Sequence, residues 1–433
     1  MKKNTNEKRC DGREKSLYFY HDQNWSCISC GRCCGIWDIP ITPQEKARIE
    51  RLKIPGFDFK TQNYFIPVKG HRLFVIKKDG KSCVFLDKDN YCVIHKHHGE
   101  AVKALACRMY PYNISLWEDE INSVSFRFDC TAVSTNQGKT LTKHKNTINT
   151  LINELLKKGS KKNSAVYRDN LKPELSNLRV IAHSYKELIF ADSSSLNTKI
   201  YFASCLVTFH ENPKNKQDIL NPVEFETASL TYLKEQDELI NATVKSADKA
   251  DKITLLRFYY ILTGYIRVDE HTRLKGFFAG RLGRAKAILK FITGKGNMHQ
   301  FGDEYPDTSG IKMIDAIEKI SFHKETESII KRYFASQLES LHFCGKHGLN
   351  LTFEEGMRHL LLAYPAIMSI TALIATAEKR TETQLNDIYK ALRIVDHTFY
   401  HSPFFKLKHI KKMVNCLTSE KVFPSILNTF GLK

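Results

Sequence analysis

The 433-residue sequence lacks the signatures of several common enzyme classes. It contains no Walker A loop, no G-x-S-x-G turn, no H-E-x-x-H pair and no EF-hand loop, which excludes the proteins that depend on those motifs. A doubly wound methyltransferase would also need a glycine-rich turn between a strand and a helix. The glycines at residues 276–283 follow no predicted strand, so we interpret them as points of close helix packing.

Long apolar runs are also scarce. The first fifteen residues contain no apolar stretch of the kind found in secretory signals, so we expect a cytoplasmic protein. Residues 360–377 carry no charge and reach the lower limit of membrane-spanning length. Because this run contains Pro365 and is bounded by Arg358 and Glu378, we expect a buried core helix and no stable membrane insertion.

The excess of basic residues is spread evenly along the chain. The net charge is +19, yet residues 1–135 carry 22 basic and 16 acidic residues, and the remainder has nearly the same excess per residue. A nucleic-acid-binding protein more often presents a concentrated basic face, so the charge pattern disfavours a nucleic-acid partner. The composition also excludes a mainly disordered chain, since 42% of the residues are hydrophobic and 11% are aromatic.

The pattern of apolar residues divides the chain into three parts. Residues 1–24 are polar and are expected to form a flexible arm, and residues 25–135 have the short segments and turns of a small strand-rich module. Residues 140–433 have helical periodicity. The predicted fold class is therefore α+β, with a small cysteine-rich module that has short strands, followed by a large all-helical domain. The predicted helices are 144–158, 197–210, 224–246, 252–266, 272–294, 311–344, 353–378, 383–399 and 404–428.

Local signals predict the elements of the module. Thr42, Pro43 and Glu45 have the spacing of a capping box with proline at the first helical position. Asp79 and Gly80 form a predicted turn between two strands. The predicted extended segments are 36–41, 73–76, 84–86, 91–94, 114–117 and 121–126, and a short helix is predicted at 99–106.

Cysteine is the residue whose placement is most informative. Eight of the twelve cysteines fall within about a quarter of the chain, namely Cys27, Cys30, Cys33, Cys34, Cys83, Cys92, Cys107 and Cys130. A two-residue gap brings neighbouring thiolates to one side of a turn, and both zinc and iron–sulfur sites use this spacing. In a cytosolic chain such clustering favours metal binding over disulfides. We therefore predict that these eight residues include the metal ligands, and the sequence leaves open which four bind directly.

The number of thiols constrains the kind of centre. Eight cysteines exceed the need of one tetrahedral zinc ion, and they could supply a 4Fe–4S cluster with spare thiols or two four-ligand sites. Adjacent Cys33 and Cys34 are expected to project in different directions, which favours a cluster or two centres. Arg32 and Arg108 are positioned in the sequence to stabilise thiolates, and His95 is an additional candidate ligand. Buried structural cysteines are the simplest alternative interpretation.

The C-x₂-C-x₂-C-C run, with Cys83, Cys92-x-x-His95 and Cys107-Arg108-x-Tyr110-Pro111 after it, resembles the cysteine-cluster family called YkgJ-like. The resemblance covers residues 25–135 and implies a zinc- or iron-chelating domain. Longer relatives include flagellin lysine N-methylases, and the elements of this chain that are similar in type are Phe128-Asp129-Cys130-Thr131, residues 342–363 and Asp396-His397-x-x-Tyr400-His401. That second resemblance implies a 4Fe–4S site and S-adenosylmethionine-dependent methyl transfer to a protein substrate.

Three functional hypotheses follow. The first is a metal-binding protein whose iron–sulfur or zinc centre has a structural or redox role. The second is an enzyme, an S-adenosylmethionine-dependent protein lysine N-methyltransferase. The third is a redox or metal-handling protein whose centre cycles or exchanges. The sequence leaves the substrate, the catalytic residues and the oligomeric state open.

Overall fold

A computed structural model describes residues 17–432, apart from residues 21, 37, 81, 169–170, 193, 267–276 and 296–305. Short strands occupy the N-terminal part of the chain, and helices make up most of the rest. The predicted α+β class is confirmed. The expected start of a helix at residue 272 lies outside the described residues.

Ten strands occur among the described residues, and none is longer than five residues. They are β1 (Leu17–Tyr18), β2 (Asn24–Trp25), β3 (Pro40–Ile41), β4 (Phe65–Pro67), β5 (Phe74–Ile76), β6 (Lys78–Asp79), β7 (Ser82–Cys83), β8 (Tyr112–Ser115), β9 (Asn122–Phe126) and β10 (Lys139–Thr140). The strands form four small sheets with the orders β1-β9-β8, β10-β2, β3-β5-β4 and β6-β7. Strands β8 and β9 form the predicted antiparallel hairpin, and β1 pairs parallel to β9.

Five short helices lie among these strands: α1 (Arg32–Ile36), α2 (Pro43–Glu50), α3 (Val93–His98), α4 (Leu105–Met109) and α5 (Thr131–Ser134). Helix α2 begins as predicted, because the Thr42 hydroxyl accepts a hydrogen bond from the Glu45 backbone N–H and the Glu45 carboxylate accepts one from the Thr42 N–H. Three local predictions were wrong in detail. Ile36 ends a helix, the segment at 91–94 enters α3, and the helix expected at 99–106 is displaced to α4.

Twelve α-helices follow residue 140 among the described residues. They are α6 (Lys145–Lys157), α7 (Leu175–Phe190), α8 (Leu196–Glu211), α9 (Pro222–Ser246), α10 (Lys252–Ile266), α11 (Phe277–Thr293), α12 (Met313–Lys319), α13 (Thr326–Ser340), α14 (Phe353–Ala377), α15 (Leu385–His401), α16 (Lys408–Leu417) and α17 (Phe423–Phe430). The prediction missed α7. It also merged two pairs of helices, since breaks at residues 320–325 and 418–422 divide α12 from α13 and α16 from α17.

Helix α14 is the centre of the helical part. It is long and apolar enough to cross a membrane, but 89% of its most apolar window is buried inside the protein. Its neighbours include α8, α12, α15, α16 and α17. The expected core helix at 360–377 is therefore confirmed, and the Thr352 hydroxyl begins it by capping the Glu355 N–H.

Two separate hydrophobic cores stand side by side. The small core consists of Ile41, Ile49, Ile54, Phe65, Ile76, Phe85, Ile94 and Ala104. The large core contains the helices, and it also takes in the β8–β9 hairpin through Ile114, Trp117, Val124 and Phe126. The hairpin thus packs with the helical part of the chain, although it lies before residue 140 in the sequence.

Candidate metal centre

Five of the eight predicted cysteines line one cavity of about 350 Å³. They are Cys33, Cys34, Cys83, Cys92 and Cys107. One side of the cavity is formed by members of the small core, including Ile49 and Phe85, and the other side by Met109 and Tyr112, which pack with the large core. The cavity therefore lies at the junction of the two cores.

Helix α1 brings the adjacent pair of cysteines to this cavity. The sulfur atoms of Cys33 and Cys34 lie 3.9 Å apart, and both side chains line the cavity although they are neighbours in sequence. The turn before them depends on Gly31, which has a φ of +67°. A Cβ at this position would lie 2.7 Å from the Asn90 Oδ1 atom, so glycine also allows α1 to approach the turn at residues 87–90.

A tight loop supplies Cys83 and Cys92. Cys83 ends β7, and the Phe85 backbone N–H donates a hydrogen bond to its sulfur. The chain then turns at Asp87, whose Oδ1 atom accepts hydrogen bonds from the backbone N–H groups of Asp89 (3.0 Å) and Tyr91 (2.9 Å). This Asx-type turn returns the chain to the cavity at Cys92, which precedes α3.

Cys107 comes from α4, and the ion pair between Arg108 and Glu154 holds this helix to α6. The Arg108 guanidinium donates two hydrogen bonds to the Glu154 carboxylate, at 2.7 and 2.5 Å. The expected role of Arg108 beside the thiolates is therefore replaced by a structural one. The cations that line the cavity instead are Lys103 and Arg127. Burial lowers the pKa of Lys103, but the neighbouring groups of Cys107 and Cys92 outweigh burial, and its pKa is raised.

Three of the cavity thiols, those of Cys33, Cys83 and Cys107, have raised pKa values that favour the protonated form in the absence of metal. Burial raises the pKa of Cys83 to about 11 and that of Cys107 to about 12. The pKa of Cys33 is also raised, by its contact with the Cys34 sulfur and by burial. Metal ligation needs thiolates, so a bound metal ion must displace these protons and provide the charge that stabilises sulfur anions.

The other three predicted cysteines lie outside the cavity lining. Cys27 and Cys30 are exposed. Cys130 begins α5, and burial raises its pKa to about 12, although the backbone N–H groups of Val133 and Ala132 donate to its sulfur and oppose that increase. Cys33, which lines the cavity, acts electrostatically on both Cys107 and Cys130. His95 is exposed and lies outside the cavity lining.

The donor set fits a soft-metal centre. Thiolate sulfur is the preferred ligand of zinc and of iron in iron–sulfur clusters. Within the described part of the chain, no three His, Cys, Asp or Glu side chains are already arranged to hold a single metal ion. The thiols therefore share a cavity, and ligation requires their side chains to reorient toward a bound group.

Sequence reasoning assigned no individual role to the polar residues that the structure places beside the thiols. Lys103 lies four residues before Cys107 but precedes α4, so helical periodicity gave no signal for it. Asp129 accepts a hydrogen bond from the Tyr110 hydroxyl at 3.1 Å and forms an ion pair with Arg127. Its other partner is His397 of α15, at 3.2 Å, and no local signal could indicate a partner so distant in sequence.

Comparison with known proteins identifies the cysteine region. Residues 26–137, about a quarter of the chain, match a family model described as "CxxCxxCC: Putative zinc- or iron-chelating domain". This match supports metal binding by the cysteine cluster. No curated protein and no solved structure matches the chain, so methyl transfer from S-adenosylmethionine stays a prediction from the resemblance alone. The matched region agrees with the cysteine-cluster resemblance that the spacing of residues 25–135 indicates.

Proposed function

We propose that the cavity binds an iron–sulfur cluster through four of its five thiols, and that this centre fixes the cysteine module to the helical part of the protein. The observation that carries the proposal is the combination of five thiols and a volume of about 350 Å³. Water occupies about 30 Å³ per molecule in the liquid, so this space corresponds to roughly ten waters. Such a volume suits a group with several metal and sulfide atoms.

A single zinc ion is the second candidate, and one distance favours it. Zinc–sulfur bonds of about 2.3 Å in a tetrahedral site place two sulfur atoms about 3.8 Å apart. The separation of 3.9 Å between the Cys33 and Cys34 sulfurs is close to that value. A zinc ion held by this pair would need two further thiols from Cys83, Cys92 and Cys107, and it would leave much of the cavity unfilled.

The position of the cavity supports a structural role for either metal. The thiols come from α1, β7, the start of α3, and α4. The last three of these elements border the small core, and α1 contacts β7. A core of eight buried residues is small for independent stability. Metal ligation contributes free energy to folding when the site does not exist in the unfolded chain. The bound centre would therefore stabilise this module in its docked position.

Metal analysis of anaerobically purified protein tests the proposal. A brown protein with about four irons per chain and acid-labile sulfide is expected for a 4Fe–4S cluster. A colourless protein with one zinc per chain would contradict the cluster and support the second candidate. Protein that binds neither metal after reconstitution would contradict both.

Ligand variants locate the centre. Cys83→Ser and Cys107→Ser should each lose most of the bound metal, because each removes one of the thiols that line the cavity. Cys416→Ser is the matched control, since Cys416 is a half-buried cysteine on α16 in the helical part. Full metal content in both cavity variants would show that the cavity isn't the binding site.

A further inference from the structure

The fold gathers three helices that carry positive charge and no negative charge. Helices α10, α11 and α16 contain two, four and three basic residues, respectively, and no aspartate or glutamate. Helix α10 contacts both of the others, and its Arg257 donates a hydrogen bond to the Cys416 sulfur of α16 at 3.3 Å. The exposed lysines of the three helices are Lys252, Lys286, Lys408 and Lys412. The surface that these helices share is therefore positively charged.

Helix α11 is attached to the rest of the protein by one of its faces. The Arg284 guanidinium is buried and lies 4.6 Å from the centre of the Phe404 ring. Phe291 is also buried, and its ring packs against Tyr259 of α10 with ring centres 5.5 Å apart. Arg284 and Phe291 are two helical turns apart, so they lie on the same side of α11. These contacts fix which side of the helix faces water.

The outer side of α11 is apolar. Leu282 is 61% exposed, Leu289 is 58% exposed and Ile292 is 43% exposed. At about 100° per residue, the two leucines lie roughly 150° around the helix axis from Arg284, and the exposed Lys286 lies on the same outer side. A surface helix in water normally turns its polar side outward. Exposed leucines beside lysine are instead typical of helices that lie on membrane surfaces.

Charge and polarity together select the partner of this surface. A second copy of the chain would bring two positively charged surfaces together, and the net charge of +19 opposes that contact. A nucleic acid would neutralise the lysines through its phosphates, but it would leave the leucines without an apolar partner. A bilayer with anionic lipids satisfies both features, because headgroups attract the lysines and acyl chains accept the leucines.

We propose that α11 binds the surface of an anionic lipid bilayer, with Leu282, Leu289 and Ile292 at the boundary of the acyl chains and the lysines of α10, α11 and α16 among the headgroups. The 17 residues of α11 form a helix about 25 Å long. This helix lies in the plane of the membrane, because its inner face stays packed on α10 and Phe404. The contact requires no membrane-spanning segment and is independent of the proposed metal centre.

Helix α9 provides a matched control because it exposes leucine without positive charge. Leu239 is 63% exposed, which is close to the exposure of the two leucines on α11. Helix α9 contains five acidic and two basic residues, so its charge repels anionic lipids. Leu239→Ser removes the same kind of side chain from the surface and should leave membrane binding unchanged.

The experiment measures co-sedimentation of the full-length protein with lipid vesicles. The wild type should bind vesicles of phosphatidylcholine mixed with phosphatidylglycerol more tightly than vesicles of phosphatidylcholine alone, and added salt should reduce this difference. The double substitution Leu282→Ser and Leu289→Ser should weaken binding to the mixed vesicles about tenfold or more, because two apolar side chains no longer leave water. Lys286→Gln should weaken it about fivefold, as expected for one charge near an anionic surface.

A fluorescent side chain tests whether the apolar face itself enters the bilayer. Leu289→Trp adds an indole on the outer side of α11. Its emission should shift to shorter wavelength when mixed vesicles are added, since the ring moves from water to the interface. Leu239→Trp should show no such shift.

Three results would overturn the proposal. Wild-type protein that binds duplex DNA and no vesicles would assign the lysines to a nucleic acid. Equal vesicle binding by the wild type and the double leucine variant, or an equal loss in Leu239→Ser, would reduce the effect to a general attraction between a basic protein and anionic lipid. Self-association that the double variant abolishes, in protein that ignores vesicles, would assign the apolar face to a second copy of the chain.

Discussion

The two hydrophobic cores differ in size and in what completes them. The large core is built from whole helix faces around α14 and contains many fully buried aromatic side chains. The small core has eight buried residues, of which Phe65 and Phe85 are the largest, and its border is formed by Cys83, Cys92 and Cys107. The large core can exclude water with side chains alone. We propose that the small core is completed by the metal centre that its thiols bind.

Removal of the metal should therefore have the largest effect, and it should be confined to one region. Chelation is expected to accelerate hydrogen exchange in residues 39–104 by several orders of magnitude, because structural metal sites contribute on the order of 10 kcal/mol to the folding of small domains. Exchange in α13 and α14 should change little. Uniform acceleration across both regions would contradict the distinction between the two cores.

The sequence could predict the thiols, but it could not predict their arrangement. Spacing places Cys33 and Cys34 near one another, and it gives no sign that Cys27 and Cys30 of the same motif are exposed. The cavity forms only when α4 packs on α6 and the loop at residues 83–92 folds back. His397 pairs with Asp129 across more than 260 residues of sequence, so only the tertiary fold shows that contact.

The helices show a similar limit. Helix α7 was missed although Leu178, Ile181, Tyr185 and Ile189 have helical spacing. The merged prediction at 311–344 failed because apolar residues continue through the break at residues 320–325. Hydrophobic periodicity identifies the buried face of a helix. The turn between two successive helices is harder to recognise, because its sequence signal is weaker.

Two phenylalanine substitutions, one in each core, test the difference between the cores, and their expected effects are smaller than that of metal removal. Phe334→Ala in the large core should lower the free energy of unfolding by about 3–5 kcal/mol and leave metal content unchanged, because this buried ring is not among the residues that line the cavity. Phe85→Ala should lower metal content as well, since this ring belongs to the small core and lines the cavity.

Thermal unfolding and metal analysis of the two variants provide the measurement. If both variants lost metal equally, the large core would be part of the metal site and the two regions would not be separable. If neither lost metal, the small core would not support the thiols as proposed.

The smallest predicted effect is a pH dependence of the free energy of unfolding, and it arises from a residue of the helical part. Glu354, at the start of α14, is buried against Glu211, and its nearest cation is Arg168. Burial and the Glu211 carboxylate raise the pKa of Glu354 to about 7. In the unfolded chain a glutamate releases its proton near pH 4.3, so between these values the folded protein binds more protons than the unfolded one.

The free energy of unfolding should consequently fall as pH rises from 5 to 7.5, by about 2 kcal/mol from this group. Glu354→Gln imitates the protonated carboxyl and should flatten that dependence, as measured by urea unfolding at each pH. Glu187→Gln is the control, because Glu187 lies on an exposed face of α7 and should leave the slope unchanged. Metal content should stay constant in both variants across this range. A Glu354→Gln protein with the wild-type slope would show that the Glu354 carboxyl does not hold a proton in this pH range. A loss of metal in this variant would show that the Glu354–Glu211 pair is coupled to the thiol cavity, and the two cores would then not be independent.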